Sequence, residues 1–216
     1  MALVKQTGPL PTDAVPLNKN EALRHQVDML RHWPNQLEVW PLRSGIGILS
    51  ITAAVAGIYV NAHYRRKMKL MKIGSAATYL PIIVLPGIAA TLAHKLFVTR
   101  DILLERKKCL LCLETRAALL QFTVGFLYPM TLGPMGSVLL ATRYATYRLP
   151  NITNDFWGLI SVLRKFTRPI NLQLSIIAIG QLFLGSCITR LEITSYYYVK
   201  QQLLEAEKVY DNSPFV

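Results

Sequence analysis

Charged residues fall in blocks along this chain, and the blocks frame four uncharged windows. Ser44–Tyr64, Ile73–Ala93, Ala117–Thr142 and Pro169–Thr189 contain no Asp, Glu, Lys or Arg, and span 21, 21, 26 and 21 residues. At about 1.5 Å per residue, a helix of that length crosses the roughly 30 Å hydrocarbon core of a bilayer. A soluble domain can bury one such helix. Four of them in 216 residues leave too little polar chain to cover them. The fold expected is all-α: a polytopic membrane protein with four transmembrane helices and flanking interfacial amphipathic helices.

The flanking helices follow from a 3.6-residue period. Asn20–Trp33 carries Leu23, Val27 and Leu30 on one face, and Pro34 ends it. Asn154–Phe166 has Asn154 as a cap, Trp157, Ile160 and Leu163 on one face, and Arg164, Lys165 and Arg168 behind them, as suits an anionic interface. A third runs from Arg190 to about Val209 and carries Tyr196–Tyr198 at headgroup depth. The chain thus divides into an N-terminal tail with an amphipathic helix (1–43), a four-helix membrane domain (44–189) and a C-terminal amphipathic tail (190–216).

Inside the windows, Pro81, Pro86, Pro129 and Pro134 remove backbone donors and should kink or locally break the second and third spans. We read these as bends that let four helices pack, ahead of a gate. Ser50, Ala53 and Gly57 line one side of the first span, and Gly133, Gly136 and Ser137 lie late in the third. Small side chains let backbones approach closely where lipid supplies no hydrophobic drive. Gln121, Asn171, Gln173 and Gln181 are the strongly polar side chains within the windows, besides Asn61 and His63 near an end. The windows hold no charge at mid-membrane, which weighs against ion-coupled transport.

Composition agrees: hydrophobic residues make up 52% and charged residues 17%, and mean hydropathy is +0.30. The net charge of +12 changes the picture more. Arg65, Arg66, Lys67, Lys69 and Lys72 crowd the link between spans one and two with no acid, and the link between spans three and four adds five bases against Asp155. The positive-inside rule puts both basic loops on the negative side of the membrane and both termini opposite. Such an excess reports topology and anionic lipid, such as cardiolipin, ahead of nucleic acid, which is not expected as a partner. The N-terminal segment reads as neither a secretory signal nor a mitochondrial presequence, since Asp13, Glu21 and Asp28 offset its bases.

Candidate chemistry is sparse. Cys109-x-x-Cys112 lies before the third span, and three readings stay open: unpaired thiols, a disulfide, or a metal or redox pair. His63 and His94 end successive antiparallel spans, so they sit on opposite faces and cannot share a metal. They read as interfacial, and His25 and His32 are seven residues apart. No triad, phosphate loop or carboxylate pair is legible, so neither an enzyme nor a cofactor is expected.

Some residues carry a resemblance. Asn61-Ala62-His63-Tyr64-Arg65-Arg66 closes the first span. Cys109-x-x-Cys112-x-x-Thr115-Arg116 is followed by Gly125-Phe126-Leu127-Tyr128-Pro129, then by Arg143-Tyr144 and Leu184-Gly185-Ser186. Their order and spacing over roughly residues 44 to 187 resemble the transmembrane protein 126 family, small four-span proteins of the mitochondrial inner membrane. Leu110 and Leu111 between the cysteines do not suit a solvent-facing redox pair.

The resemblance implies assembly of respiratory complex I: holding membrane-arm modules, and recruiting soluble assembly proteins and other assembly factors. It places the chain in the inner membrane, where the charge asymmetry of the loops puts the termini in the intermembrane space. Ser50, Ala53, Gly57, Gln121, Tyr128, Pro129 and Gln181 are the candidate interaction residues. A permanent accessory subunit of a respiratory complex is the alternative, and a small-molecule transporter or channel a more distant one.

Overall fold

The computed structural model describes residues 17–106, 109–150 and 155–211. Among them the secondary structure is helical, with no strand: α1 (Lys19–Arg31), α2 (Gln36–Lys67), α3 (Ser75–Leu103), α4 (Leu110–Arg143), α5 (Phe156–Thr167) and α6 (Asn171–Asp211). α2, α3, α4 and the α5–α6 stretch are long and apolar enough to cross a membrane, so the four expected spans are present.

Local chemistry sets the helix starts. Asn18 and Glu21 form a reciprocal capping box at α1, with the Asn18 amide donating to Glu21 at 2.9 Å. Asn35 Oδ1 accepts the Leu37 amide at the start of α2. Asp155 accepts the Gly158 amide at 2.9 Å and caps α5. The expected cap, Asn154, lies outside the described residues.

The prolines widen the helices without interrupting them. α3 contains π-helical turns at Leu80–Val84 and Lys95–Thr99, and α4 one at Thr123–Leu127. Two of the three lie just before Pro86 and Pro129. Proline has no N–H to return to the carbonyl four residues back, and a wide turn makes room for its ring. For Pro86 that carbonyl belongs to Ile82, and it points at Gly57 of α2. A Cβ on Gly57 would collide with the Ile82 oxygen and lie 3.3 Å from its carbonyl carbon. Only glycine allows these two backbones so close.

Apolar clusters hold the two ends of the bundle. At the end bearing the termini, Leu30, Val39, Val98, Ile102, Leu113, Tyr196 and Val199 are buried together. At the opposite end, here the loop face, Met68, Leu70, Val138, Ala141 and Leu159 pack against one another, so α5 lies against the spans. The outer surface is apolar, for example Ile51, Val55, Leu92, Leu139 and Phe183, as a lipid-facing girdle requires.

Two expectations are corrected. α6 is one helix through Thr189 and Arg190, so the segment read as a separate amphipathic helix continues the fourth span. In α1 the buried face is Leu23, Gln26 and Leu30, while Val27 is 44% exposed. Spacings of i, i+3, i+7 and i, i+4, i+7 lie on nearly the same helical face, and the polar Gln26 hid the first.

Candidate functional site

The candidate interaction residues of the first span are used inside the chain. Ser50 Oγ donates to the Gly87 carbonyl at 2.9 Å, Ala53 is fully buried, and Gly57 meets Ile82. The stripe is therefore the seam between α2 and α3. Gly133 of α4 is a second close approach, since a Cβ there would meet Val60 at 2.8 Å.

Gln121 and Gln181 come together in the bundle interior. Gln121 Nε2 donates to Gln181 Oε1 at 2.7 Å and to the Leu49 carbonyl at 3.0 Å, and Gln181 Nε2 donates to the Thr52 carbonyl at 3.1 Å. Three helices are tied through two side chains. Interhelical hydrogen bonds in membranes average about 0.6 kcal/mol, so the set contributes about 2 kcal/mol. That magnitude suits a device that fixes register. Of the remaining pair, Pro129 is buried and Tyr128 half-buried.

A buried ionisable pair, absent from the sequence reading, lies nearer the terminal face. His94 Nε2 of α3 lies 3.0 Å from Glu192 Oε2 of α6, with side-chain exposures of 4% and 0%. Gly45 of α2 lies against this stretch of α6, where a Cβ would stand 2.7 Å from Ile188 Cγ2 and 3.4 Å, an ordinary contact, from Glu192 Oε1. That oxygen is buried without a hydrogen-bond partner. His94, expected at the interface, is buried, and an acid from just beyond the last window is buried with it. His63 is buried as well, its Nε2 donating to the Phe166 carbonyl at 2.9 Å, at the other end of the bundle. Glu192 sits three residues beyond the last uncharged window, past the Arg190 that closes it, so the window pattern gives no sign of its burial.

The two membrane faces handle charge differently. On the terminal face, acids meet bases: Arg116 bonds Asp101 at 2.9 Å, Arg106 lies 3.7 Å from Asp101, and Lys200 bonds Glu105. On the loop face, among the described residues, no base has an acidic partner. Asp155, the one acid in either basic link, is the α5 cap. Arg66, Lys67, Lys69 and Lys72 are exposed, as a topology-setting loop requires.

Arg65 departs from that group, being 4% exposed. Its guanidinium donates to the Met71 and Ile73 carbonyls at 2.8 and 2.9 Å and to Thr78 Oγ1 at 2.9 Å. It closes a turn in which Lys69, Met71 and Gly74 all have positive φ. One of the five bases therefore folds the loop that the others charge.

Cys109 caps α4, its Sγ accepting the Cys112 amide at 3.3 Å, and both cysteines are exposed. Among the described residues no three His, Cys, Asp or Glu side chains gather as a metal site.

A sequence profile described as Transmembrane protein 126 matches residues 22–195, from α1 through the four spans to Ser195. This chain belongs to the transmembrane protein 126 family. A Drosophila melanogaster protein named Transmembrane protein 126 is 42% identical over 162 residues, covering 74% of this chain and 73% of its own length. Transmembrane protein 126A of Rattus norvegicus is 32% identical over 149 residues, 67% of this chain and 74% of its own length. A Mus musculus relative named Complex I assembly factor TMEM126B, mitochondrial, is 29% identical over 109 residues, 49% of this chain and 45% of its own length. No solved structure matches. The family match reaches beyond the stretch that carried the resemblance. It takes in α1 and Glu192, so the buried pair lies within the shared region of transmembrane protein 126.

Proposed function

We propose that this chain is a non-enzymatic, membrane-embedded assembly factor for mitochondrial respiratory complex I. In this reading it sits in the inner membrane, holds membrane-arm modules and recruits soluble assembly proteins, with no cofactor. The observation that carries the proposal is family membership together with a relative named as a complex I assembly factor. The geometry supports it in two ways. The chain satisfies its small-residue seams and interior glutamines within itself, which leaves a self-contained bundle with an apolar girdle for hydrophobic subunits. The loop face carries unpaired bases, as expected of a matrix face docking soluble partners and anionic lipid such as cardiolipin. The termini then lie in the intermembrane space.

Affinity purification of the full chain from solubilised mitochondria, followed by size separation, tests the proposal. Membrane-arm subunits and soluble assembly proteins should co-migrate with it in subassemblies, and the mature complex should lack it. Its presence in the mature complex would instead make it an accessory subunit.

A further inference from the structure

From the loop-face geometry we infer a site for the phosphodiester headgroup of an anionic phospholipid, between α5 and the start of α6. A cavity of about 720 Å³ lies there, lined by Ser161, Arg164, Lys165, Thr167, Arg168 and Asn171. Three of the six are cations and none is an acid. None of the three has an acidic partner among the described residues. A concentration of unneutralised positive charge in a concave site attracts an anion, and guanidinium groups match phosphate oxygens with paired N–H donors.

The site is held in place from behind. Tyr64 of α2 reaches Thr167 Oγ1 at 2.6 Å while Thr167 donates to the Leu163 carbonyl, and His63 holds the Phe166 carbonyl. α5 therefore cannot roll away from the spans. Its outward side exposes Phe156 (57%) and Trp157 (79%), rings suited to the membrane–water boundary, which sets the cavity at headgroup depth.

A second observation selects a lipid over a free phosphate. Below Arg168, along α6, Leu172, Ile176, Ile179 and Phe183 follow at i+4, i+8, i+11 and i+15, all between 61% and 71% exposed. This apolar track begins beside the cavity and descends one side of the helix, as an acyl chain attached to the bound headgroup would. Free phosphate would use the cations and ignore the track. The site rests on the proposed orientation of the loop face toward an anionic leaflet, and it is testable without complex I.

The test uses the full-length chain in phosphatidylcholine nanodiscs containing phosphatidylglycerol, with retained lipid measured by mass spectrometry after detergent extraction. Arg164→Gln with Arg168→Gln should lower retained phosphatidylglycerol by roughly 25-fold, taking about fivefold per cation near an anionic surface. Arg143→Gln with Arg148→Gln removes equal charge from the same face outside the cavity and should cost clearly less than the cavity pair. All four side chains are exposed, and an unchanged melting temperature checks folding. Leu172→Ala with Ile176→Ala keeps every charge and should lower lipid retention while leaving any inorganic phosphate binding unchanged. Equal losses from both arginine pairs would show a diffuse surface charge and overturn the site. Binding of inorganic phosphate without selective retention of phosphatidylglycerol would overturn the lipid assignment. Neither result bears on complex I assembly.

Discussion

His94 and Glu192 are hydrogen-bonded at 3.0 Å from two different spans, and together they are the most deeply buried ionisable pair described in the bundle. A buried pair is costly to break because the remaining partner stays desolvated, at about 3–5 kcal/mol. Glu192→Leu should therefore lower thermal stability in detergent by several degrees. Glu192→Gln, which keeps a hydrogen bond, should lower it much less. The double variant His94→Leu/Glu192→Leu should recover part of the loss, since replacing both partners with apolar groups leaves nothing unpaired. Equal stability of Glu192→Leu and wild type would show that the pair does not support the fold.

The approach of Gly57 to Ile82 gives a sharper steric prediction. A single methyl at Gly57 meets the Ile82 backbone, which cannot swing aside as a side chain can. Gly57→Ala should destabilise by about 1–3 kcal/mol through overpacking. Gly180→Ala, where an added Cβ meets nothing within 4 Å, should be neutral or slightly stabilising. Thermal unfolding of both variants in one detergent checks the contrast, and equal shifts would mean that the α2–α3 seam is not packed as described.

The spans were legible because a bilayer requires long uncharged helices, and a charge-free window needs no knowledge of tertiary contacts. The same rule hid what lies at the window edges. Glu192 and Asp101 lie beyond the windows, past Arg190 and Lys95, where charge is expected to meet water, yet each is buried, one against His94 and one against Arg116. Arg65 read as one charge among five, because nothing in its spacing reveals that the turn ahead folds back onto its guanidinium. Gln121 and Gln181 were recognised as polar residues inside spans, but their pairing across 60 positions is set by packing alone. The stripe of Ser50, Ala53 and Gly57 is legible by its spacing as close-approach chemistry, and Gly57 and Ser50 meet the next span. Whether it faced its own chain or a partner required the structure.

Topology is open to direct test. With Arg66, Lys67, Lys69 and Lys72 on the matrix side, protease added to mitoplasts should remove a C-terminal tag and spare a tag inserted in the loop after Lys67. Loss of the loop tag with survival of the C-terminal tag would reverse the assignment.

Depletion of the protein from cells, followed by native separation of the respiratory complexes, bears most directly on the assembly role. Mature complex I should fall, a membrane-arm intermediate should accumulate, other respiratory complexes should stay near normal abundance, and restoring the wild-type chain should reverse the loss. Complex I at normal abundance with no accumulated intermediate would contradict the assembly role.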